Sequence, residues 1–344
     1  MTSMSESVRT NPDAARDSSL LVLMPIYNDW EAVSLLLVGL DRVLAAGGIS
    51  CRVLLVDDGS TTPASAAMSG HDYMAIERID VLALRRNIGH QRAIAVALAY
   101  IDDRIKPGAV VVMDGDGEDA PEDVPRLAKR LRESDGRTVI FAERRRRSES
   151  LAFRAFYNLY RLAHVVLTGI PVRVGNFSIV PGSQLTRLVV VSELWNHYAA
   201  AVFKARLPRD TIPTVRAQRL SGRSRMNFVA LVGHGLSALS VHAEVIGVRL
   251  LVMTSALVAL VSVLLSVVVA VRVSTSLAIP GWATSAAGLL VVLLFQAIGF
   301  AVFFVFLVLH ARSQPLFIPI RDYPYFVASV GALFPQVATA KFVV

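Results

Sequence analysis

Two long apolar runs, residues 245–271 and 285–310, constrain this 344-residue chain more than any other feature. Each exceeds the ~20 residues that a helix needs to cross the hydrocarbon of a bilayer, and neither has the polar face of a helix buried in a soluble core. They predict two transmembrane helices joined as a hairpin. Hydrophobic residues make up 54% of the chain, more than an ordinary soluble protein carries, and the excess lies in these runs. Residues 1–19 are polar and predict a disordered segment, and the first hydrophobic stretch, 20–26, is too short for a signal sequence. Arginines crowd the approach to the first run (Arg206, Arg209, Arg216, Arg219, Arg223, Arg225, Arg249), and Arg312, Arg321 and Lys341 follow the second. Between Arg272 and Arg312 there is no charged side chain. By the excess of positive charge on cytoplasmic segments, both ends of the hairpin face the cytoplasm, in a cell (inner) membrane. The single cysteine, Cys51, excludes an intramolecular disulfide and fits a reducing compartment.

A net charge of +8 suits nucleic acid, anionic lipid or phosphorylated substrates. The basic residues cluster beside the apolar runs, and no aromatic-basic interleaving or zinc-finger spacing accompanies them, which favours lipid head groups and diphosphates and predicts no nucleic-acid partner. From Leu20 onward short β-rich runs alternate with helical patterns: LLVLMPI, a helix over 29–46, CRVLLVDD, IDVLAL, a helix over 89–105, AVVVMD, a helix over 122–133, and RTVIFA. This alternation predicts an α/β fold with a mostly parallel, doubly wound sheet. Beyond it, four arginines (Arg144, Arg145, Arg146, Arg147) lead into an aromatic-bearing helix over 150–167, and an amphipathic segment over 227–242 leads into the first apolar run. The apolar tail 326–340 is too short to span and reads as an interfacial or packing segment.

Ligands of such sheets bind at the carboxyl ends of the strands, and here those ends are acidic. One apolar strand ends in Asp57-Asp58-Gly59-Ser60 and another in Asp114-Gly115-Asp116-Gly117-Glu118-Asp119. Paired carboxylates separated by a glycine supply hard oxygen donors for Mg2+ or Mn2+, which bind through one or two carboxylates and a substrate's phosphates. An isolated Asp-x-Asp is as often a solvated turn, but its place at the end of AVVVM favours the metal reading. Asp57 and Asp58 could accept hydrogen bonds from a base or ribose, although Asp-Gly-Ser is also ordinary turn composition. Neither G-x-G-x-x-G nor G-x-x-x-x-G-K-[ST] is present, and no histidine has metal-ligand spacing with a Cys or Glu.

Four ordered segments, MPIYNDWE, LLVDDGS, LRRNIGHQRAIAVAL and VVMDGDGEDAPEDVPRL, resemble glycosyltransferase family 2 enzymes of GT-A (Rossmann-like) fold, and among them the polyprenyl- or dolichyl-phosphate sugar synthases with two C-terminal transmembrane helices. The resemblance divides the chain into a GT-A domain over 20–225, an interfacial helix over 226–243, the membrane hairpin over 244–312 and a cytoplasmic tail over 313–344. It implies that Pro25, Tyr27, Asp29, Asp57 and Asp58 hold the nucleoside, that Asp114, Gly115 and Asp116 hold the metal and diphosphate, and that Glu118 is a further metal ligand. RLSGRSRM resembles the family's R-x-x-G-x-S-K-Y loop, which implies phosphate contacts for Arg219 and Arg225 and closure of that loop over the donor. The run Arg144–Arg147 corresponds to the acceptor side, where a solvated basic surface is the equal alternative. This sequence departs from the family at Asn176-Phe177-Ser178, often Asp-Phe-Arg, at Ala120, and at Arg225-Met226.

The expected reaction is direct, inverting displacement of a nucleoside diphosphate from a UDP- or GDP-sugar by a polyprenyl phosphate. Metal and arginines meet the charge that develops on the leaving group. A phosphate acceptor is already ionised at neutral pH, so the lack of an obvious general base fits it. Alternatives are transfer to another lipid or glycan and an inert membrane scaffold that keeps the fold; the clustered carboxylates argue against the scaffold. Two helices without an intramembrane charge offer no transport pathway. The sequence leaves the sugar, the base and a homo-oligomer open.

Overall fold

The computed structural model describes residues 17–64, 71–144, 161–170, 174–221, 228–275, 281–313 and 317–335, which fall into two units. The first, to which residues Met1–Phe153, Arg173–Val241 and Phe317–Val344 belong, is built on one sheet. Its elements run β1 (Asp17–Ile26), α1 (Trp30–Ala46), β2 (Cys51–Asp57), β3 (Ile76–Leu84), α2 (His90–Tyr100), a π-helical turn (Ile101–Ile105), β4 (Pro107–Val112), α3 (Asp123–Glu133) and β5 (Val139–Arg144). Helix α4 (residues 161–168) belongs to the second unit. The first unit continues with β6 (Ser178–Pro181), α5 (Gly182–Leu188), α6 (Tyr198–Lys204), β7 (Arg209–Thr214) and α7 (Phe228–Ser240).

The strand order is β7-β5-β6-β4-β1-β2-β3-β8, where β8 is Val327–Phe334. The central strands β4, β1, β2 and β3 are parallel, as the alternating pattern predicts, and β6 pairs antiparallel with both β4 and β5. Because both faces are covered, the central strands read as continuous apolar runs. On β1 the alternate residues Leu20, Val22, Met24 and Ile26 are buried with α1 and α3, through Val33, Leu37, Leu40, Val124 and Leu127. Leu21 and Leu23 are buried on the opposite face with α2, α5 and α6, through Ile94, Leu98, Leu185 and Tyr198.

In the second unit, helices α8 (Ala243–Ser274) and α9 (Trp282–Ser313) occupy the two apolar runs and pack on each other, with Gly247 of α8 close against Val308 of α9. They are long and apolar enough to cross a membrane, and they leave Val252, Val263, Phe295 and Phe306 exposed. In α4 the pattern of a soluble helix is reversed: Leu162, Val165 and Val166 are exposed, whereas His164 and Thr168 are buried. Arg249 of α8 donates to the Val166 carbonyl at 2.8 Å, meeting one of the carbonyls left over at the end of α4.

After α9 the chain returns to the first unit. It forms α10 (Pro319–Asp322), a 3-10 turn (Tyr323–Tyr325) and β8 (Val327–Phe334), which pairs antiparallel with β3 as the last strand of the sheet. The Tyr323 hydroxyl donates to Asp103 at 2.6 Å in the turn after α2, and Arg85 N–H donates to the Phe326 carbonyl at 2.9 Å. The tail segment is thus a structural strand of the sheet.

Candidate active site

Strands β4, β1 and β2 lie side by side and parallel, and the order of the sheet reverses at β1, the position at which such sheets hold a ligand crevice beyond the strand ends. Ile26 is paired with Asp57, and Met113 N–H donates to the Leu23 carbonyl at 3.1 Å, which sets the three acidic ends next to one another. Beyond β1, Asn28 takes a left-handed backbone (φ +57°), which asparagine tolerates better than most residues. Its side-chain oxygen accepts the N–H groups of Thr61 and Thr62 at 2.8 and 3.0 Å, and its own N–H donates to Ser60 Oγ at 2.9 Å. Asn28 therefore ties the turn after β2 to the end of β1.

The two aspartates of that turn differ. Asp57 is half-buried and accepts the Ser60 N–H at 2.8 Å. Asp58 is buried, and its two oxygens accept the N–H groups of Ile88 and Gly89 at 2.7 and 2.9 Å. Burial pushes its carboxyl above the ordinary value, against the opposing pull of the two N–H groups. Asp58 thus holds the loop that leads to His90, and Asp57 is the member of the pair left at the crevice surface.

The turn after β4 is shaped by its own carboxylates. Asp119, buried, accepts the Asp114 N–H at 3.0 Å, and Asp116 Oδ1 accepts the Glu118 N–H at 3.0 Å. A Cβ on Gly115 would lie 3.0 Å from Val33 Cγ2 and 3.3 Å from the Pro25 carbonyl oxygen, so the turn sits directly on β1 and α1. Burial raises the Asp116 carboxyl; the Glu118 N–H opposes the shift, the neighbouring Asp114 and Glu118 charges add to it, and Arg219 opposes it.

A segment from far along the chain, residues 215–221, lies over this turn. Leu220 N–H donates to the Asp116 carbonyl at 3.1 Å and Ala217 N–H to the Glu118 carbonyl at 3.0 Å. Arg219 spans two strand ends, with one guanidinium nitrogen 3.1 Å from Asp116 Oδ2 and the other 3.3 Å from Asp29 Oδ1. Arg216 pairs with Glu118, and Ser221 Oγ donates to Glu31 at 2.8 Å.

Opposite this segment, α2 begins with His90, whose Nε2 is 3.2 Å from Asp114 Oδ1. Desolvation works against a charge on this ring, but the charge and hydrogen bond of Asp114, with Asp116 and Asp119 beyond, outweigh it and raise the His90 pKa. Asn176 lies 3.0 Å from the same Nε2, Gln91 reaches Asn176 at 3.2 Å, and Tyr198 N–H donates to Gln91 Oε1 at 2.8 Å. Ser178, two residues after Asn176, is buried and bonded to the Tyr198 hydroxyl at 2.6 Å. An arginine, frequent at this position in the resembled family, would here enter the core.

Against known proteins, residues 21–181 match the model of glycosyl transferase family 2. That match spans a little under half of the chain. One similar protein is the undecaprenyl-phosphate 4-deoxy-4-formamido-L-arabinose transferase of Salmonella paratyphi B, 27% identical over 139 residues, or 40% of this chain and 41% of that protein. The chain thus matches less than half the length of that relative. Among solved structures, mannosyl-3-phosphoglycerate synthase from Rubrobacter xylanophilus has a TM-score of 0.44 at 13% identity, over 66% of this chain and 73% of that one. Glucosyl-3-phosphoglycerate synthase from Mycobacterium tuberculosis, in complex with Mn2+, UDP-glucose and phosphoglyceric acid, has a TM-score of 0.47 at 16% identity, over 68% and 81% of the two chains.

Within the first unit, Pro25, Tyr27, Asp29, Asp57, Asp114, Gly115, Asp116 and Arg219 all lie at the adjoining ends of β1, β2 and β4. Arg225, Arg145, Arg146 and Arg147 lie outside the described residues, and Arg144 ends β5 with its side chain also outside them. The carboxylates of Asp114 and Asp116 are the hard donors that a divalent cation requires, so their chemistry fits Mg2+ or Mn2+. Among the described residues no three His, Cys, Asp or Glu side chains converge on one point, and Glu118 is turned to Arg216. The residues that sequence reading passed over are Asn28, His90, Gln91 and Asp119. Asn28 and His90 stand inside the quoted motifs, but only the folded chain shows what they touch.

Proposed function

We propose that this family 2 glycosyltransferase moves a sugar, with inversion, from a UDP- or GDP-sugar to a polyprenyl phosphate at the cytoplasmic face of a membrane. The observation that carries the reading is Arg219 held between Asp29 and Asp116, at the junction of the strand ends. A cation and a ring of carboxylates at that point suit a metal-bound diphosphate, whose phosphate oxygens would draw Arg219 off the carboxylates. The Salmonella relative acts, by its name, on undecaprenyl phosphate, and the two long apolar helices give this chain a means of reaching a lipid in a membrane.

A divalent ion at Asp114 and Asp116 would neutralise charge on the departing diphosphate. The chain's own residues do the rest. Tyr27, Asn28 and Asp57 line the nucleoside end of the crevice. Gly115, lacking a side chain, keeps the turn close to β1. Arg219 and the segment 215–221 cover the diphosphate and exclude water. A phosphate acceptor brings its own negative oxygen, so no side chain need remove a proton from it.

Sugar transfer by the detergent-solubilised full-length protein tests this, with radiolabelled UDP- and GDP-sugars, undecaprenyl phosphate, and Mn2+ or Mg2+. Label should enter the organic phase only with metal, and Asp116→Ala should reduce the rate by roughly a hundredfold or more, the order of magnitude for loss of a group that stabilises leaving-group charge. Transfer with retained anomeric configuration would overturn the inversion. Absence of transfer from every donor, with nucleotide binding intact, would overturn the acceptor.

A further inference from the structure

Beside the start of α2 the chain builds a cluster that the candidate active site does not use. Trp195 lies in the turn before α6, and its ring packs on those of Phe317 and Phe326, with centroids 4.0 and 4.9 Å away. Phe317 and Phe326 meet edge to face at 5.7 Å. All of these rings are half-buried, so the cluster keeps part of its apolar surface accessible. Arg92, exposed in the first turn of α2, lays its guanidinium over the Trp195 ring, 5.1 Å from the centroid. Arg85, also exposed, reaches the same cluster from the end of β3, its backbone N–H bonded to the Phe326 carbonyl. Gln91, next to Arg92, binds Tyr198 N–H and Asn176, which adjoins His90 and so Asp114. The cluster therefore borders the site on its α2 side.

Its positive charges are unmatched. The carboxylates carried by the aromatic segments already have cations: Glu193 is paired with Lys204 at 3.6 Å and Asp322 with Arg321 at 2.7 Å. Among the described residues, neither the Arg85 nor the Arg92 guanidinium has a carboxylate or a hydrogen-bond acceptor. A guanidinium stacked by its face on an indole keeps its N–H groups in its own plane, where two of them can hold a phosphate. A free phosphate would need the arginines and not the rings, and a neutral isoprenoid would need the rings and not the arginines. Together they suit a phosphate monoester carried on an apolar chain. Phe317 follows the last residue of α9 by four positions, so the chain enters this cluster directly from an apolar helix.

We infer that Arg85, Arg92, Trp195, Phe317 and Phe326 form the acceptor subsite, the arginines taking the phosphate of a prenyl monophosphate and the rings its first isoprene units. The inference rests on the proposed function for the class of acceptor. It brings the attacking oxygen to the α2 side of the site, opposite the segment 215–221 assigned to the departing diphosphate, as displacement with inversion requires.

The test is photolabelling of the full-length protein in detergent by a farnesyl monophosphate that carries a diazirine in its first isoprene unit, mapped by mass spectrometry. Saturable labelling of residues 192–198 and 317–327 is expected in wild type. Farnesyl phosphate should compete at least about tenfold better than inorganic phosphate, farnesol or phosphatidylglycerol in mixed micelles, each of which lacks part of what the subsite binds. Arg92→Ala should raise the half-saturating concentration about tenfold, the loss of one charge-assisted contact to phosphate, while UDP or GDP binding shows that the variant is folded. Saturable labelling at Arg144–Arg147 instead would overturn this subsite and leave the acceptor reading standing. Equal competition by inorganic phosphate would assign the arginines to a free anion, and equal competition by phosphatidylglycerol would assign the cluster to the membrane surface; either overturns the inference. No saturable labelling anywhere, with nucleotide bound, would overturn both the subsite and the acceptor. The labelling arm uses no variant, so an Arg92→Ala protein that does not fold leaves the test intact.

Discussion

Gly117 shows how closely the site is built at the level of one residue. Its φ is +84°, and an added Cβ would stand 2.5 Å from Leu220 Cγ. Gly117→Ala therefore combines left-handed strain of roughly 1–2 kcal/mol with a direct push against the segment carrying Arg219. Faster tryptic cleavage at Arg216 or Arg219 and a fall in sugar transfer of about tenfold are expected; unchanged proteolysis would show that the segment does not depend on this contact. Cys51 gives a pH prediction. Burial pushes its thiol up to about 12, with the Asp41 and Glu77 charges adding to the shift. Because the folded value lies above the unfolded one, the contribution of the neutral thiol to stability is complete below the ordinary thiol value and is lost as pH rises towards 12. Iodoacetamide labelling of the folded protein should stay slow and nearly flat between pH 7 and 9, and become rapid on unfolding; prompt labelling at pH 9 would refute the buried placement. The acidic strand ends were legible because an Asp-Gly-Asp after a wholly apolar strand has few uses. The partnership of His90 with Asn176 was not, since it joins positions 86 residues apart and no local pattern encodes it.

Among elements, the strand–helix alternation from β1 to α3 could be read in the chain because each strand is apolar throughout and each helix repeats at its own period. What could not be read is how non-neighbouring pieces are tied. Asp41, on α1, is buried and accepts three backbone N–H groups at the start of β3, from Met74, Ala75 and Ile76 at 3.1, 2.7 and 3.0 Å. In sequence it is one more acidic residue on an amphipathic helix. Asp41→Ala leaves those donors without their acceptor and should cost about 2–5 kcal/mol, read as a lowered midpoint of thermal unfolding in detergent. A midpoint within a degree of wild type would mean that water or a neighbour replaces the carboxylate. Strand β8 was equally hidden: VASVGALF has little alternation, and its partner β3 lies more than two hundred residues earlier. A pairing so distant is chosen by the assembled sheet edge and not by local propensity.

For the whole molecule, the chain order is the informative fact. Sheet strands precede the two long apolar helices, and a sheet strand follows them. If the helices span, the last strand can reach β3 only when an even number of crossings separates it from the others. The termini should then be on one side of the membrane and the segment between α8 and α9 on the other. Cysteines introduced at position 278 and near the C-terminus, in a Cys51→Ala background, should react with an impermeant maleimide from opposite sides; labelling from the same side would exclude a spanning hairpin.

The place of β8 also bears on biosynthesis. A ribosome delivers both long apolar helices before it releases the strand that completes the sheet, so the edge of β3 stays uncovered until both have been made. A chain whose hairpin fails to insert properly could not bring its final strand home and would display an open, adhesive strand edge, the feature by which chaperones and proteases distinguish an unfinished protein. If α8 and α9 span a membrane, the first unit thus acquires its finished sheet only as a consequence of the chain's own correct delivery there.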